Sequence, residues 1–472
     1  MKNLRSLFAA LLVLSFSFSA FAQRTRPGAS SGTADLLITG GTVVTMDGAR
    51  RVIENGAIAV KNGEIVKVGT SAEVAKGLAA KQTINAKGKV IIPGLINTHT
   101  HIPMVLFRGI ADDLDLNEWL TKYIFPAEGK NVTEPFVRAG TRLGLAEMIR
   151  GGTTTYCDMY YFEDAIADET KKAGVRGVLG ETIIDFPVGD NKTHEEAMAY
   201  AERYVNKWKG DALIVPALAP HAPYTVSTEH LKAVRKLSDK LNAAVVMHIA
   251  EVKKERDDIL AQKGATPVTY LDKIGFLSNR LIAAHTIFLT DDEIDIFKRI
   301  GVGSAHCPQS NMKLAAGVAP VPKMLAKDVA VGLGTDGAAS NNDLNMWEEM
   351  DTAAKLHKLI SGDQKVVPAE QAFEMATIRG ARALHIDNIT GSIETGKRAD
   401  IVIVDMDDLN QTPFYNVYSH LVYATKADDV RTVVINGRVV MLDRRLLTLN
   451  EALIKKDANA YRDQVIKSLS GK

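Results

Sequence analysis

Four residues that could bind a metal ion each follow an apolar run in this sequence. His99 and His101 close the run VIIPGLINTHTH, His248 closes VVMH, and Asp336 follows VAVGLGT. Side chains at positions i and i+2 of a strand point to the same side, so the two imidazoles of the His-x-His pair can reach one point. Three histidines and one aspartate suit a divalent metal such as Zn²⁺ and leave one position for water.

Glu251 and His285 are placed to assist the reaction of such a water. A metal lowers the pKa of its bound water toward about 7, and Asp336 can then accept a proton from it. Glu251, three residues after His248, can protonate the group that accepts charge. His285, which closes LIAAH, can hold the water or the developing oxyanion. This set is suited to attack on an electrophilic sp² carbon that expels nitrogen or halide.

A single histidine after an apolar run is more often an ordinary core residue, so the metal prediction depends on the four ligand positions together. A shared fold has to bring them to one place. Between residues 93 and 388 the sequence alternates strand-like and helix-like segments, which predicts a (β/α)8 TIM barrel of the α/β class. The carboxyl ends of its strands converge on one face. Predicted strand ends lie near His99/His101, Asp158, Glu181, His221, His248, His285, His306 and Asp336.

Two β-rich segments flank the predicted barrel, at 34–92 and 389–446. Both contain short alternating runs separated by Gly turns, and Asn62-Gly63 is a strong hairpin signal. We expect the two segments to form one small β-sandwich domain from both chain ends. Residues 447–472 are charged and amphipathic, which predicts a C-terminal helix.

The first residues have the pattern of an export signal. A positive start and an uncharged apolar run from Leu7 to Phe18 precede an A-x-A site that ends at Ala22. We therefore expect a signal peptide at 1–22, cleaved after Ala22, then a flexible leader at 23–33, and a periplasmic or secreted protein. An uncleaved N-terminal anchor is the alternative. After signal cleavage no membrane span is expected.

Composition excludes several classes of protein. The 472 residues are 46% hydrophobic and 24% charged, and 57 basic side chains nearly balance 56 acidic ones. No basic excess indicates nucleic-acid binding, and no phosphate-binding loop or dinucleotide fingerprint is present. Only Cys157 and Cys307 occur, which excludes a disulfide-dense scaffold. We expect two separate buried thiols, with a single bridge as the alternative.

The motifs PGLINTHTHIPM, HIAE, AAH and GTDGAASNN together resemble the amidohydrolase superfamily. Within it, the sequence is similar to the branch of adenosine-type and methylthioadenosine/S-adenosylhomocysteine deaminases, with the s-triazine hydrolases nearby. The resemblance covers roughly residues 34–445. It implies one divalent metal per chain, Zn²⁺ or alternatively Fe²⁺, and a homo-oligomer. It implies the ligands His99, His101, His248 and Asp336, the proton shuttle Glu251, and His285 beside the nucleophilic water.

The fourth predicted strand supports a mononuclear site. Binuclear members of the superfamily often carry a carboxylated lysine there, whereas this strand ends IVPALAPHAPYT without one. His221 stands at this point, and in the similar branch that histidine contacts the substrate. A structural turn histidine is the alternative.

The segment RGIADDLDLNEWLTKYIFPAE also resembles the deaminase branch. The resemblance implies that Trp119 lines the base pocket and that Glu128 binds the ribose hydroxyls. A carboxylate suits that role because it accepts charge-assisted hydrogen bonds from two neighbouring hydroxyls. The alternatives are core packing for Trp119 and a solvated helix position for Glu128.

One position departs from the family pattern. S-adenosylhomocysteine deaminases can hold the amino-acid carboxylate with an arginine after strand 3, where Glu181 stands here. We expect Glu181 to contact the substrate and to repel a carboxylate, which favours neutral substrates, although Lys192 can compensate. Glu181 could instead pair with a substrate cation, pair with Arg176 or ligate a metal.

These features predict a hydrolytic deaminase of a purine-type heterocycle. The expected substrate is an adenosine derivative: adenosine, 5′-methylthioadenosine or S-adenosylhomocysteine. The first alternative is a hydrolase of another C–N or C–Cl bond, in an s-triazine, a pterin or a cyclic amide. The second is a catalytically silent binding protein on the same barrel, because a fold does not determine a function. The expected partner is a small heterocycle, and nucleic acid is not expected.

Overall fold

The computed structural model describes residues 33–470. The signal peptide predicted at 1–22 and all but the last residue of the predicted leader lie outside this range. Within it, no helix is both long enough and apolar enough to cross a bilayer. Two sheets and the helices around them make up the fold.

The N-terminal flank forms five strands and one short helix. The predicted hairpin is confirmed: β2 and β3 pair antiparallel across Asn62 and Gly63, which have φ values of 54° and 80°. Positive φ at both turn positions matches the twist of the strands, and glycine tolerates it without strain. The elements are β1 (Thr33–Val44), β2 (Val52–Lys61), β3 (Glu64–Thr70), α1 (Ser71–Val74), β4 (Ala79–Asn85) and β5 (Lys89–Pro93).

The middle of the chain forms the predicted barrel of eight parallel strands, each paired with the next in chain order. The eight predicted strand ends all fall within three residues of the carboxyl ends of these strands. Between the last strand and the first, Asp336 N donates to His99 O at 2.9 Å, which brings the ends of the sheet together. The strands are β6 (Leu95–Thr100), β7 (Thr153–Tyr160), β8 (Arg176–Ile183), β9 (Ile214–Pro220), β10 (Ala244–Ile249), β11 (Leu281–His285), β12 (Gly303–His306) and β13 (Val331–Leu333).

Helices alternate with these strands, and local sequence marks their ends. Thr193 and Ser227 cap helix starts with their hydroxyls, and Gly152 and Gly174 end helices in the left-handed conformation. A π-helical turn, Trp119–Ile124, follows the first of them. The helices are α2 (Leu116–Glu118), α3 (Phe125–Asn131), α4 (Glu134–Gly151), α5 (Glu163–Ala173), α6 (His194–Trp208), α7 (Thr228–Leu241), α8 (Lys253–Lys263), α9 (Pro267–Lys273), α10 (Asp291–Ile300), α11 (Pro308–Lys313), α12 (Val321–Ala326), α13 (Met346–Ser361), α14 (Ala369–Met375) and α15 (Ile378–Ala383).

The C-terminal flank returns to the first sheet and ends in the predicted helix, which packs on α3 and α4. The new strand β14 pairs antiparallel with β5, so both chain ends share one nine-stranded sheet. This sheet curls on itself, because Ile65 N donates to Lys397 O at 2.9 Å and Ile38 and Ile401 share one apolar core. The elements are β14 (Ile401–Asp405), α16 (Val417–Ser419), β15 (Val430–Ile435), β16 (Arg438–Leu442), β17 (Arg445–Leu446) and α17 (Glu451–Ser470).

A buried ion pair joins the sheet to the barrel. Arg176 opens β8, and its guanidinium binds the carboxylate of Asp400 at 2.9 and 3.2 Å, with both side chains 1% exposed or less. Asp400 also accepts the backbone N–H of Asn436 at 2.7 Å. The pairing of Glu181 with Arg176 that the sequence left open is therefore wrong.

Asp400→Ala should lower the free energy of unfolding by about 3–5 kcal/mol, because it leaves a buried guanidinium without a counter-ion. The matched control is Asp405→Ala, which breaks the half-buried pair with Lys89 and should cost about 1 kcal/mol or less. Urea unfolding of both variants measures the difference. Equal losses would contradict the structural role assigned to the buried pair.

Both cysteines are buried and free. Cys157 lies on β7 and Cys307 follows β12. Burial raises the pKa of both thiols well above the usual range. The prediction of two separate buried thiols is confirmed, and the alternative of a bridge is wrong.

Candidate active site

The four predicted metal ligands meet at the carboxyl end of the barrel. Asp336 Oδ1 lies 3.6 Å from His99 Nε2 and 3.4 Å from His101 Nε2. His248 Nε2 lies 3.3 Å from His101 Nε2. One carboxylate oxygen and the ring nitrogens of histidines from β6 and β10 therefore face a common point.

Backbone carbonyls orient two of these histidines. His101 Nδ1 donates to Met159 O at 2.7 Å, and His248 Nδ1 donates to His221 O at 2.9 Å. Each bond assigns the proton to Nδ1 and leaves the Nε2 lone pair free to bind a metal. Burial lowers the pKa of His248 well below its usual value and also lowers that of His101, so both rings are neutral.

His99 gives an independent indication of a ligand. Its side chain is fully buried, and neither ring nitrogen has a hydrogen-bond partner among residues 33–470. A buried polar atom without a partner costs roughly 1–3 kcal/mol. Burial lowers the pKa of His99 well below its usual value, which keeps the imidazole neutral and its lone pair available.

Asp336 is held in a strained conformation. Its φ is 62°, which a non-glycine residue rarely adopts outside sites that require it. Oδ2 accepts from Ser310 Oγ at 2.7 Å and from Ser340 Oγ at 3.0 Å, so Oδ1 faces the histidines. Burial alone would raise the pKa of Asp336, but the charge of His285 and the hydrogen bond from Ser310 help to outweigh it and lower the pKa, so the carboxyl is ionised.

The donor set fits a divalent ion that accepts nitrogen and oxygen ligands together. The potential ligand atoms of His99, His101 and His248 lie within 4.8 Å of one another, as do those of His99, His285 and Asp336. Such an ion, when bound, would supply a water of lowered pKa. Three imidazoles and one carboxylate leave room for that water.

Glu251 and His285 lie next to this point. His285 Nε2 is 3.7 Å from Glu251 Oε1, and His285 Nδ1 donates to Asn311 Oδ1 at 3.0 Å. Burial raises the pKa of Glu251, although the positive charge of His285 opposes the shift. A glutamic acid that keeps its proton more readily than usual can serve as a general acid.

The sequence analysis missed the residues that position these groups. Glu255, in the first turn of α8, accepts the backbone N–H groups of Ala250 at 2.9 Å and Glu251 at 2.7 Å. Asn311 Oδ1 likewise accepts a hydrogen bond from His285 Nδ1 and so orients the His285 ring. A glutamate four residues after Glu251 was the only signal for Glu255. The motif PQSNM gave no indication of which partner Asn311 would have.

A cavity opens over the metal-binding point and extends along aromatic and apolar side chains. Trp119, Glu128 and His221, the residues that the sequence analysis expects to bind the substrate, are among its lining residues. The lining consists of His101, Met104, Leu116, Trp119, Leu120, Ile124, Phe125, Glu128, Met159, Tyr160, Tyr161, Thr182, His221, Tyr224, His248, Glu251, His285, Leu314 and Asp336.

Glu128 is a buried cavity residue and not a solvated helix position. Tyr160 OH donates to its Oε1 at 2.7 Å. Burial raises the pKa of Glu128 to about 7, partly opposed by the bond from Tyr160. Trp119 is 7% exposed, and its indole Nε1 has no hydrogen-bond partner within the described residues, so it offers a donor near the cavity.

His221 lines the cavity next to His248. Its ring centroid is 4.8 Å from that of His248, and its Nδ1 bonds Thr225 Oγ1 at 2.9 Å. Burial and the proximity of His101 lower the pKa of His221 to about 3, so the ring is neutral. The residue is therefore placed to contact a bound molecule in addition to closing a turn.

Glu181 does not line the cavity, which corrects the expectation that it contacts the substrate. Its Oε1 accepts from Asn191 Nδ2 at 3.0 Å, and its Oε2 accepts from Glu163 N at 3.1 Å. Burial and the nearby Asp190 carboxyl raise the pKa of Glu181 well above its usual value. The adjacent Thr182 faces the cavity because successive residues of a strand point to opposite sides.

Metal ligation by Glu181 has no support either, because no group of potential ligands within residues 33–470 includes it. The loop after β8 instead brings other side chains to a recess beside Glu128. Phe186, Val188 and Lys192 line this recess.

The barrel and its buried His/Asp cluster, with an acid and a histidine beside it, define the class of metal-dependent hydrolases built on a TIM barrel. Residues 90–440 match the amidohydrolase family. The chain belongs to that family.

Named relatives are similar over almost the whole chain. A 5-methylthioadenosine/S-adenosylhomocysteine deaminase of Syntrophobacter fumaroxidans is 46% identical over 89% of this chain and 96% of its own. A 5′-deoxyadenosine deaminase of Methanosarcina mazei is 40% identical over 92% and 99%. The crystal structure of an adenosine deaminase from Xanthomonas campestris with bound zinc superimposes with a TM-score of 0.91 at 40% identity, covering 92% of this chain and 99% of that one.

Proposed function

We propose that this protein is a hydrolytic deaminase of adenosine derivatives that uses one divalent metal ion. The observation that carries the proposal is one cavity lined by His101, His248, Glu251, Asp336 and, among its aromatic side chains, Glu128. A hydrolytic centre and a buried carboxylate suited to a ribose thus belong to the same binding space. The names of the relatives agree with this assignment.

The side chains divide the reaction among themselves. Asp336, ionised and held by two serine hydroxyls, accepts a proton from the attacking water. Glu251 donates a proton to the ring nitrogen next to the attacked carbon, and His285 holds the developing oxyanion. Water adds to the carbon, the amino group takes up the proton that Asp336 accepted and leaves as ammonia, and the hydroxyl gives its proton back to Glu251 as the new carbonyl forms. His99, His101, His248 and Asp336 would hold the metal, which when bound would supply an acidified water. Zinc is the proposed ion because the adenosine deaminase from Xanthomonas campestris was solved with bound zinc.

The other end of the cavity suits a nucleoside. Glu128 can accept hydrogen bonds from the two ribose hydroxyls when it is ionised. Trp119 offers apolar surface for the base and an unpaired N–H. His221 lines the same cavity, with its ring centroid 4.8 Å from that of His248.

The recess beside Glu128 suits the 5′ substituent. Phe125, Phe186 and Val188 line it with apolar surface, and Lys192 adds one cation. Because Glu181 lies outside the cavity, the expected charge penalty against an acidic 5′ tail has no structural basis. We therefore propose both 5′-methylthioadenosine and S-adenosylhomocysteine as substrates.

Ammonia release from a panel of substrates tests the proposal. Adenosine, 5′-deoxyadenosine, 5′-methylthioadenosine and S-adenosylhomocysteine should be deaminated with higher kcat/KM than adenine, a pterin or an s-triazine. Turnover confined to free bases or triazines would refute the nucleoside assignment and favour the other C–N or C–Cl hydrolysis.

Glu128→Ala should lower kcat/KM for adenosine about 10- to 100-fold, because two buried hydroxyls lose their acceptor at about 1–3 kcal/mol. Turnover of 2′-deoxyadenosine should fall less, since it has only one of the two hydroxyls. The control is Glu118→Ala, which breaks a surface pair with Lys122. Equal losses on adenosine and on 2′-deoxyadenosine would contradict a ribose-binding role for Glu128.

A further inference from the structure

A second group of potential metal ligands lies away from the buried centre. We call Asp185, His194 and His230 the rim cluster. Asp185 follows β8, His194 opens α6, and His230 lies in the first turn of α7. Their potential ligand atoms all lie within 4.8 Å of one another. Three segments that are separate in sequence thus place two imidazoles and one carboxylate together near the surface.

Within the rim cluster, only one of the two histidines lies within hydrogen-bond distance of the carboxylate. His230 Nδ1 lies 2.7 Å from Asp185 Oδ1, and His194 Nδ1 lies 4.0 Å from the same oxygen. The His194 side chain is only 10% exposed, and its buried Nδ1 has no hydrogen-bond partner in the part of the chain that the structure describes. The two rings are stacked, with centroids 3.5 Å apart. A buried ring nitrogen that faces a carboxylate without bonding it is suited to a ligand.

We propose that the rim cluster binds a second divalent transition-metal ion of the Zn²⁺ type. Two imidazole nitrogens and one carboxylate oxygen match the ligands that this class of ion prefers, whereas Ca²⁺ and Mg²⁺ prefer oxygen alone. Tetrahedral ligand atoms about 2.1 Å from one zinc ion are about 3.4 Å apart, between the two distances measured from Asp185 Oδ1. Water completes the coordination.

Asp185 is already oriented for this role. Its Oδ2 accepts from Ser227 N at 2.8 Å, and its backbone N–H donates to Thr225 O at 3.1 Å, which leaves Oδ1 facing the histidines. Glu195 and Glu229 lie close enough to act on His194 electrostatically, so they add negative charge near the site. Binding requires the imidazole rings to rotate out of their stack, and any proton on either Nδ1 to leave.

The ion would tie three segments at the mouth of the barrel: the loop after β8, the start of α6 and the start of α7. Thr225 connects this place to the cavity, since its carbonyl accepts from Asp185 and its hydroxyl bonds His221 Nδ1. The rim ion would therefore stabilise the position of His221 through Asp185 and Thr225, without contact with the substrate.

Zinc titration of the protein with its buried centre already loaded tests the proposal. Wild type should bind one further Zn²⁺ per chain, measured by equilibrium dialysis and elemental analysis, and its Tm should rise with added Zn²⁺. His194→Ala and His230→Asn should each lose the further ion and the Tm response. His420→Asn is the control, because it changes another partly exposed histidine, which bonds Gln411 outside the cluster.

Binding of Zn²⁺ at the buried centre alone in wild type would overturn the proposal. Retention of the further ion by both rim variants would also overturn it. Circular dichroism identifies a variant that fails to fold, and the other rim variant then decides. The rim residues are outside the catalytic set, so deaminase activity of the variants at saturating substrate checks that the buried centre is intact.

Discussion

Glu251→Gln should lower kcat by roughly 10²–10⁴-fold, which is the usual contribution of a positioned general acid. Glutamine keeps the shape and the backbone position that Glu255 supports, but it has no proton to donate to the heterocycle. KM should change little, because the substitution removes an interaction made in the transition state. Metal content should equal that of wild type, since Glu251 is not among the four ligands.

Steady-state kinetics on adenosine and elemental analysis of the same preparation measure both effects. Asp258→Asn is the matched control: this carboxylate lies on α8 and pairs with Lys254 at the surface. Its activity should match wild type. A Glu251→Gln enzyme that keeps more than about a tenth of the wild-type kcat would refute the role of Glu251 as general acid.

The barrel and the clustering of the four candidate ligands could be predicted because they depend on local patterns. Apolar runs that end in polar residues mark the carboxyl ends of parallel strands, and the fold brings those ends together whatever the loops do. His99, His248 and Asp336 could be identified as candidate ligands without knowing which residues contact one another in the fold. The strained φ of Asp336, in contrast, could not be predicted from the sequence, because no residue type near it requires a left-handed backbone.

Glu181 shows where this reasoning fails. Along a strand, a shift of one residue reverses the side to which a side chain points. The sequence analysis placed Glu181 on the cavity side, whereas Thr182 has that position and Glu181 binds Asn191 behind it. The flanking residues alternate too weakly to determine the register, because the whole of β8 is buried on both sides.

Contacts between distant segments could not be predicted at all. The bond from Tyr160 to Glu128 joins the end of β7 to helix α3, and Asn311 reaches His285 from the helix after β12. The small β-sandwich domain of both chain ends was predicted only from the short alternating runs and Gly turns that the two flanks share. The pairing of β5 with β14, however, depends on the complete barrel between them. The buried pair of Arg176 and Asp400 depends on the same closure.

His99→Asn should remove the metal from the buried centre and lower deaminase activity by at least about 10³-fold, because the ion contributes several kcal/mol and each 1.36 kcal/mol is tenfold. His99 is the candidate ligand whose ring nitrogens have no hydrogen-bond partner among residues 33–470, so its loss is the most direct test of the donor set. Asparagine also leaves part of the ring volume empty, and circular dichroism must show an intact fold.

The rim cluster has to be separated from this measurement. The His194→Ala protein, which keeps His99, should hold one ion per chain. The double variant His194→Ala, His99→Asn should hold none. Chelation followed by Zn²⁺ should restore activity to the first protein and not to the second. Two tightly bound ions in the His194→Ala enzyme would contradict a mononuclear centre, and an active His99→Asn enzyme without metal would contradict the assignment of the buried histidines as ligands.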